Sequence, residues 1–466
     1  MKGYLALITS LLLLSLSTLP IKINIGVADV PIGYPVHNLN TGLNYTTIQE
    51  SIDANETLNG HTILVDAGVY YENILVDKSV SLIGENRTTT MLNQTEPPPE
   101  QPFIGPVVKI TADNAEIAGF NFVFFWTLLQ ISVDSCSNVT ISDNTMSSTG
   151  VCISLLGVSN CTITRNTLQG GGLEGNNIIN AEHCEGCDIN DNIISNACYY
   201  GIYLYMSNHN LIRNNLMQGD GWAVYLDSAY GNVIFNNVIS GPSDTGIEIY
   251  SSGGNVIFSN TMSNCWAGVE FNSYSQMNSL FHNMFERNYN QVVLHGSSGN
   301  SFDSGVEGNY WDDYNNTDAN QDGIGDEPYN LSSTATDHYP LMGAFRNFTV
   351  SNSNVQIISN STITNFQFNG TAISFSVSGE DSAGFCRIRI PTALLNIPYR
   401  VFLNGTEIPC TLLPCSDANY SYLYSSYTHS THDVVVIPEF QPYVILLLLI
   451  ATIPSSIIVR RKKCRR

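Results

Sequence analysis

The stretch NVIFNNVI (Asn232–Ile239) returns 23 residues later as NVIFSNTM (Asn255–Met262). Its last asparagine recurs at Asn121, Asn144, Asn166, Asn192, Asn215, Asn237, Asn260 and Asn283, at spacings of 22 to 26 residues. A period of this length restricts the chain to a repeat architecture, because each unit can bury its apolar face only against its neighbours. Each unit also holds short alternating runs, among them GIYLYMS from Gly201, AVYLDS from Ala223, GIEIYSS from Gly246 and GVEFNS from Gly268, which read as strands joined by tight turns. The leucine framework of a leucine-rich solenoid is absent, and the unit is too short for a propeller blade. The predicted fold class is all-β, a right-handed parallel β-helix of about 23 residues per coil.

In such a coil the asparagine has a structural task. A turn residue with positive φ is least costly as Asn or Gly. Stacked coils would set the asparagines about 4.8 Å apart, where their amides can hydrogen-bond along the stack. Period-2 alternation then sorts inside from outside. Ile202, Leu204, Val224, Leu226, Ile247, Ile249, Val269, Phe271, Val292 and Leu294 should fill the core. One outward column holds Tyr203, Tyr225, Glu248, Glu270 and Val293, and its neighbour holds Tyr205, Asp227, Tyr250, Asn272 and His295.

The segment Thr46–Asn86 reads as a short helix from about Thr47 to Ala54, which would close the open end of the stack, followed by strands at Thr62–Val65, Asn73–Val76 and Ser79–Ile83. With the Asn-turn repeats, it resembles right-handed parallel β-helix proteins of the carbohydrate-binding and sugar-hydrolase type and of the NosD type, over roughly 46–342. Pro97–Pro106 is too proline-rich for a central strand and reads as a long loop.

Downstream, Asp318, Asn320, Asp322 and Asp326 occupy positions 1, 3, 5 and 9 of a calcium-type loop, with the Ile324 carbonyl at position 7 and Gly323 at the sharp turn. Tyr329 stands where an EF-hand has its bidentate Glu, so Asp337 or Glu327 is left to supply that oxygen. Ca2+ is the expected cofactor. From Phe345 the period disappears, and alternating runs of 5 to 8 residues argue a small antiparallel β-sandwich acting as a stalk.

The ends read as export and anchoring signals. An apolar run follows Lys2 and leads to a small-residue cleavage point near Ala28, as in a secretory signal peptide. Near the other end, Tyr443–Val459 carries no charge and precedes RRKKCRR, which predicts a transmembrane helix with a basic cytoplasmic tail. IPEF (Ile437–Phe440) before this span resembles the PEF-type sorting signals of archaeal surface proteins, implying a sortase-type processing enzyme; a single-span anchor fits equally. The expected division is a signal peptide at 1–28, cap and first coils at 29–120, repeats at 121–311, acidic loop and C-terminal cap at 312–342, β-sandwich at 345–436, span at 443–459 and tail at 460–466.

Without its ends the chain keeps 10 of 18 basic residues against all 40 acids, a charge of −30. That sign excludes nucleic acid as a partner, since phosphate binding needs cationic neutralisation. Thirteen N-x-S/T acceptors, among them Asn44, Asn138 and Asn404, fit an exported glycoprotein.

Three functions compete. Tyr203, Tyr205, Tyr225, Tyr250 and His295 could bind a glycan, and Glu248, Glu270 and Asp227 are the candidate catalytic residues of a hydrolase or lyase, since carboxylates on successive coils approach the spacing such chemistry uses. The NosD resemblance implies copper handling, but HCEGC (His183, Cys184, Cys187) and His429 with His432 are poor ligand sets, and Cys187 shares a register with Cys161. The favoured expectation is a non-catalytic surface protein anchored in the membrane, whose partners are envelope polysaccharide or surface-layer proteins.

Overall fold

The structure, a computed structural model, describes residues 33–93, 105–122, 129–171, 177–219, 221–241, 244–380 and 383–439. The expected span Tyr443–Val459, the signal region and most of the proline-rich loop lie outside them. Among the described residues no helix is long and apolar enough to cross a membrane.

Strands of successive coils stack into three sheets of 12, 11 and 10 described strands, parallel except for Val36–Asn38 near the N-terminal edge, which pairs antiparallel with both its neighbours. The ten-stranded sheet runs from Ile74–Val76 to Asn290–Leu294. Its inward residues Ile202, Leu204, Val224, Leu226, Ile247, Ile249, Val269 and Phe271 are fully buried in one continuous core, and Val292 and Leu294 pack against it. The predicted outward column is in register: Tyr203 pairs with Tyr225, Tyr225 with Glu248, Glu248 with Glu270 and Glu270 with Val293.

The asparagines do form a ladder, but not as turn residues. Positive φ falls on the residue before each of them, at Asp143, Arg165, Asp191, Asn214, Asn236, Ser259 and His282. The ladder asparagines are buried, and each Nδ2 donates to the Oδ1 of the next, from Asn144 through Asn166, Asn192, Asn215, Asn237, Asn260 and Asn283 to Asn309, at 3.0–3.2 Å. Asn121 is not part of it. It pairs with Thr145, and Phe120 takes the ladder position by donating its backbone N–H to Asn144 Oδ1. The first asparagine of the motif builds a second ladder, from Asn210 through Asn232, Asn255 and Asn278 to Asn300.

Both ends of the stack are closed. The helix Ile48–Asp53 buries Ile48 and Ile52 in the core. Its N-cap Thr47 accepts from the Glu50 N–H, and Glu72 accepts from the N–H groups of Ile48 and Gln49, neutralising donors the first turn leaves unpaired. At the far end Phe285, Trp311 and Tyr329 stack at 4.4 and 4.8 Å. Asp337 is fully buried, accepts from the Trp311 indole and the Asn309 N–H, and is pushed up to about 6 chiefly by burial. It ends the asparagine ladder and is not a side arm of the acidic loop.

The sandwich follows as two five-stranded antiparallel sheets between Ala344 and Pro438, around a core containing Val355, Ile357, Ile373, Phe375, Ile388 and Val436.

Candidate functional site

Tyr203, Tyr205, Tyr225, Asp227, Glu248, Glu270 and His295 lie together on the outer face of the ten-stranded sheet, near its C-terminal end. Parallel pairing sets their positions on successive coils about 4.8 Å apart. Tyr250 takes the place beside Asp227 in the outer column and is 42% exposed.

The aromatic part is larger than alternation predicts. Tyr200 stacks on Tyr225 at 4.4 Å and on Tyr203 at 5.1 Å, and Trp222 meets Tyr199 and Tyr200 edge-on at 5.2 and 5.5 Å. Tyr203 continues the patch to Tyr205 at 6.2 Å. Offset and edge-to-face pairs of this kind are favourable and leave ring faces available to a planar or ring-shaped ligand. Tyr199, Tyr200 and Trp222 escape a strict period-2 reading because alternation lapses at Gly201–Ile202, where consecutive residues are both buried.

The two glutamates are sunk among these groups, Glu248 at 7% and Glu270 at 9% exposure. Asn272 donates to Glu248 Oε1 at 2.5 Å, and the Trp222 indole N–H faces the same carboxyl without meeting hydrogen-bond geometry. Glu270 accepts from Thr245 Oγ1 at 2.9 Å and stands 3.1 Å from His295 Nε2. Burial, with the neighbouring Glu270 charge second, raises Glu248 to about 7. Burial also raises Asp244, again with Glu270 contributing. Asp227 accepts from Ser228 Oγ at 2.9 Å and from Tyr203 Oη at 3.5 Å. Asp244, Thr245 and Asn272 complete a site in which a proton donor and an acceptor sit side by side.

One consequence is measurable without a ligand. A carboxyl raised in the folded state contributes stability fully below its unfolded value, and that contribution is lost as pH rises through the folded value. Denaturant melts should therefore show stability falling between pH 4.5 and about 7, by up to about 3 kcal/mol from this group. Glu248→Gln should flatten that slope. An unchanged slope would mean that Glu248 is charged in the fold.

The expected metal ligands behave otherwise. Asp318 accepts from the N–H groups of Asp322 and Gly323, Asp322 from that of Ile324, and Asp326 from that of Ala319. These carboxylates close the loop on itself, while Ile324 is buried and bridges to Leu341, and Asn320 lies among exposed residues. Cys184 and Cys187 are buried in the core, whereas His183 sits at a positive-φ turn beside Tyr205. Among the described residues no group of three or more His, Cys, Asp or Glu is placed to hold a metal ion.

Residues 131–316 match the family model described as periplasmic copper-binding protein (NosD). That match lies within the parallel β-helix. A cell surface glycoprotein of Methanothermus fervidus is 28% identical over 322 residues, which cover 59% of this chain and 52% of that protein, so the chain spans about half the length of the curated relative it matches. Two solved structures are loosely similar over part of the chain. The A-module of an Azotobacter vinelandii mannuronan C-5 epimerase is 16% identical with a TM-score of 0.42, covering 55% of this chain and 93% of that one. DFA-IIIase of Arthrobacter chlorophenolicus is 12% identical with a TM-score of 0.45, covering 55% and 88%.

Proposed function

We propose that the protein is an exported cell-surface β-helix that binds envelope polysaccharide along the outer face of its ten-stranded sheet. One observation carries this reading: a contiguous platform of Tyr199, Tyr200, Tyr203, Tyr205, Tyr225 and Trp222 borders hydrogen-bonding carboxylates on a flat parallel sheet. Sugar rings stack on such faces while their hydroxyls bond to carboxylates. The cell-surface relative and the signal-like N-terminus support the location. In this reading the sandwich is a stalk, Tyr443–Val459 anchors the chain, and surface-layer proteins or a sortase-type enzyme are its protein partners.

The purified protein should bind polysaccharide extracted from the envelope, measured by calorimetry. Tyr225→Ala should weaken binding about tenfold or more, equivalent to ~1.4 kcal/mol. Tyr274→Ala, on an 84% exposed turn residue outside the aromatic cluster, should leave it unchanged. Equal binding by both variants would sink the assignment of the face. Glu248 beside Glu270 favours a second reading, hydrolysis of the bound glycan.

A further inference from the structure

The charge of this face limits what it can accept. Asp227, Asp244, Glu248 and Glu270 gather around the aromatic platform, and the strands Tyr200–Tyr205, Trp222–Asp227, Thr245–Tyr250, Ala267–Phe271 and Asn290–Leu294 contain no Lys or Arg. Along the outward column the lysine is Lys109, four coils from Tyr203, and it is spent on Asp134 at 3.0 Å. A polyuronide would press one carboxylate per sugar against these acids with no Lys or Arg on those strands to offset them. A neutral sugar, or one carrying an ammonium group, meets no such repulsion.

The two buried glutamates differ in their partners. Glu270 is held by Thr245 and His295, so its acceptor role is fixed, while Glu248 takes a single hydrogen bond from Asn272 in a drier setting. Their register sets their backbones on adjacent strands about 4.8 Å apart, which lets the two carboxyls come near the roughly 5 Å separation at which one carboxyl attacks the sugar that the other has helped to release.

Resting on the glycan-binding reading, we propose that this face hydrolyses a neutral or amino-sugar polysaccharide with Glu248 as acid and Glu270 as nucleophile. Glu248 passes its proton to the glycosidic oxygen as that oxygen leaves the anomeric carbon, and a Glu270 oxygen bonds to the same carbon. Water then gives its proton to Glu248, and its oxygen displaces Glu270, restoring both carboxyls and releasing a sugar of retained configuration. Tyr200, Tyr225 and Trp222 hold the ring flanking the cleaved bond.

The test incubates the whole protein with a neutral glucan or mannan, with chitosan and with polygalacturonate, following reducing ends and, by proton NMR, the anomer first released. Cleavage of a neutral or amino-sugar chain with retention, lost at least about 100-fold in both Glu248→Gln and Glu270→Gln while binding persists, supports the proposal. The rate should fall as pH rises through about 7, where Glu248 gives up its proton. Stereochemistry is read on the unaltered protein, so it does not depend on the variants folding. Binding without cleavage, inversion, or cleavage of polygalacturonate alone overturns the hydrolase proposal and leaves the binding function standing. Absence of binding to any of these chains and to the envelope extract removes both.

Discussion

Replacing Asn237 by alanine is expected to cost about 3–5 kcal/mol, whereas the same change at its neighbour Asn236 should cost about 1 kcal/mol. Asn237 is 1% exposed. Its Oδ1 accepts from both the backbone N–H and the Nδ2 of Asn215, and its Nδ2 donates to the carbonyls of Ile212 and Phe235 and to Asn260 Oδ1. Alanine would strand at least the Asn215 N–H and the Ile212 carbonyl inside the core, each at about 1–3 kcal/mol, and would leave a cavity as well. Asn236 is exposed and supplies only its φ of 55°, a conformation that costs alanine about 1–2 kcal/mol. Because neighbouring coils stabilise each other pairwise, the loss should be local first. Hydrogen exchange should show the coils around Asn215 and Asn260 opening before the rest, with a lower denaturation midpoint. Equal costs at the two positions would return the motif to a simple turn signal.

That contrast also explains what the sequence makes legible. The repeat period and the alternation within GIYLYMS or GIEIYSS specify sheet, register and core, because a one-residue slip would turn Ile247 and Ile249 outward. The same alternation places Glu248 over Glu270. The turn conformation is less legible, since both residues of pairs such as Asn236–Asn237 suit a positive φ and only burial distinguishes them. Asn121 misleads for a related reason: it lies 23 residues before Asn144, yet Phe120 occupies the ladder position. Part of the site is hidden as well. Trp222 and Tyr200 stand at strand starts where the pleat is interrupted, and Asp244 and Thr245 join Glu270 through the packing of coils. The joint between β-helix and sandwich leaves no local signal, because its two charged members are 80 residues apart.

That joint should give the second large effect. Arg387, from the sandwich, is 3% exposed and donates Nε to Glu307 Oε1 at 2.9 Å and Nη1 to the Asp322 carbonyl at 2.7 Å. Glu307, at the end of the β-helix, is 4% exposed and its second oxygen lies 2.8 Å from His282 Nε2, whose ring stacks on Phe345 at 4.0 Å. The acidic loop thus contributes a backbone acceptor to the joint. Burial alone would push the Glu307 carboxyl up, but the His282 hydrogen bond and the Arg387 charge outweigh it and hold it below the usual carboxylate range. Its contribution to stability is present above the unfolded value and is lost only as pH falls through the lower folded one. Arg387→Met should cost about 3–5 kcal/mol at pH 7 by leaving Glu307 buried without its cation. With that cation gone, burial dominates and Glu307 takes up a proton at higher pH, so the deficit should shrink in urea melts at pH 4. Adding Glu307→Leu should recover most of the loss, because an apolar pair of similar volume carries no desolvation penalty. If the double variant stayed as unstable as the single one, the joint would be held by packing such as that of His282 on Phe345, and the ion pair would matter little.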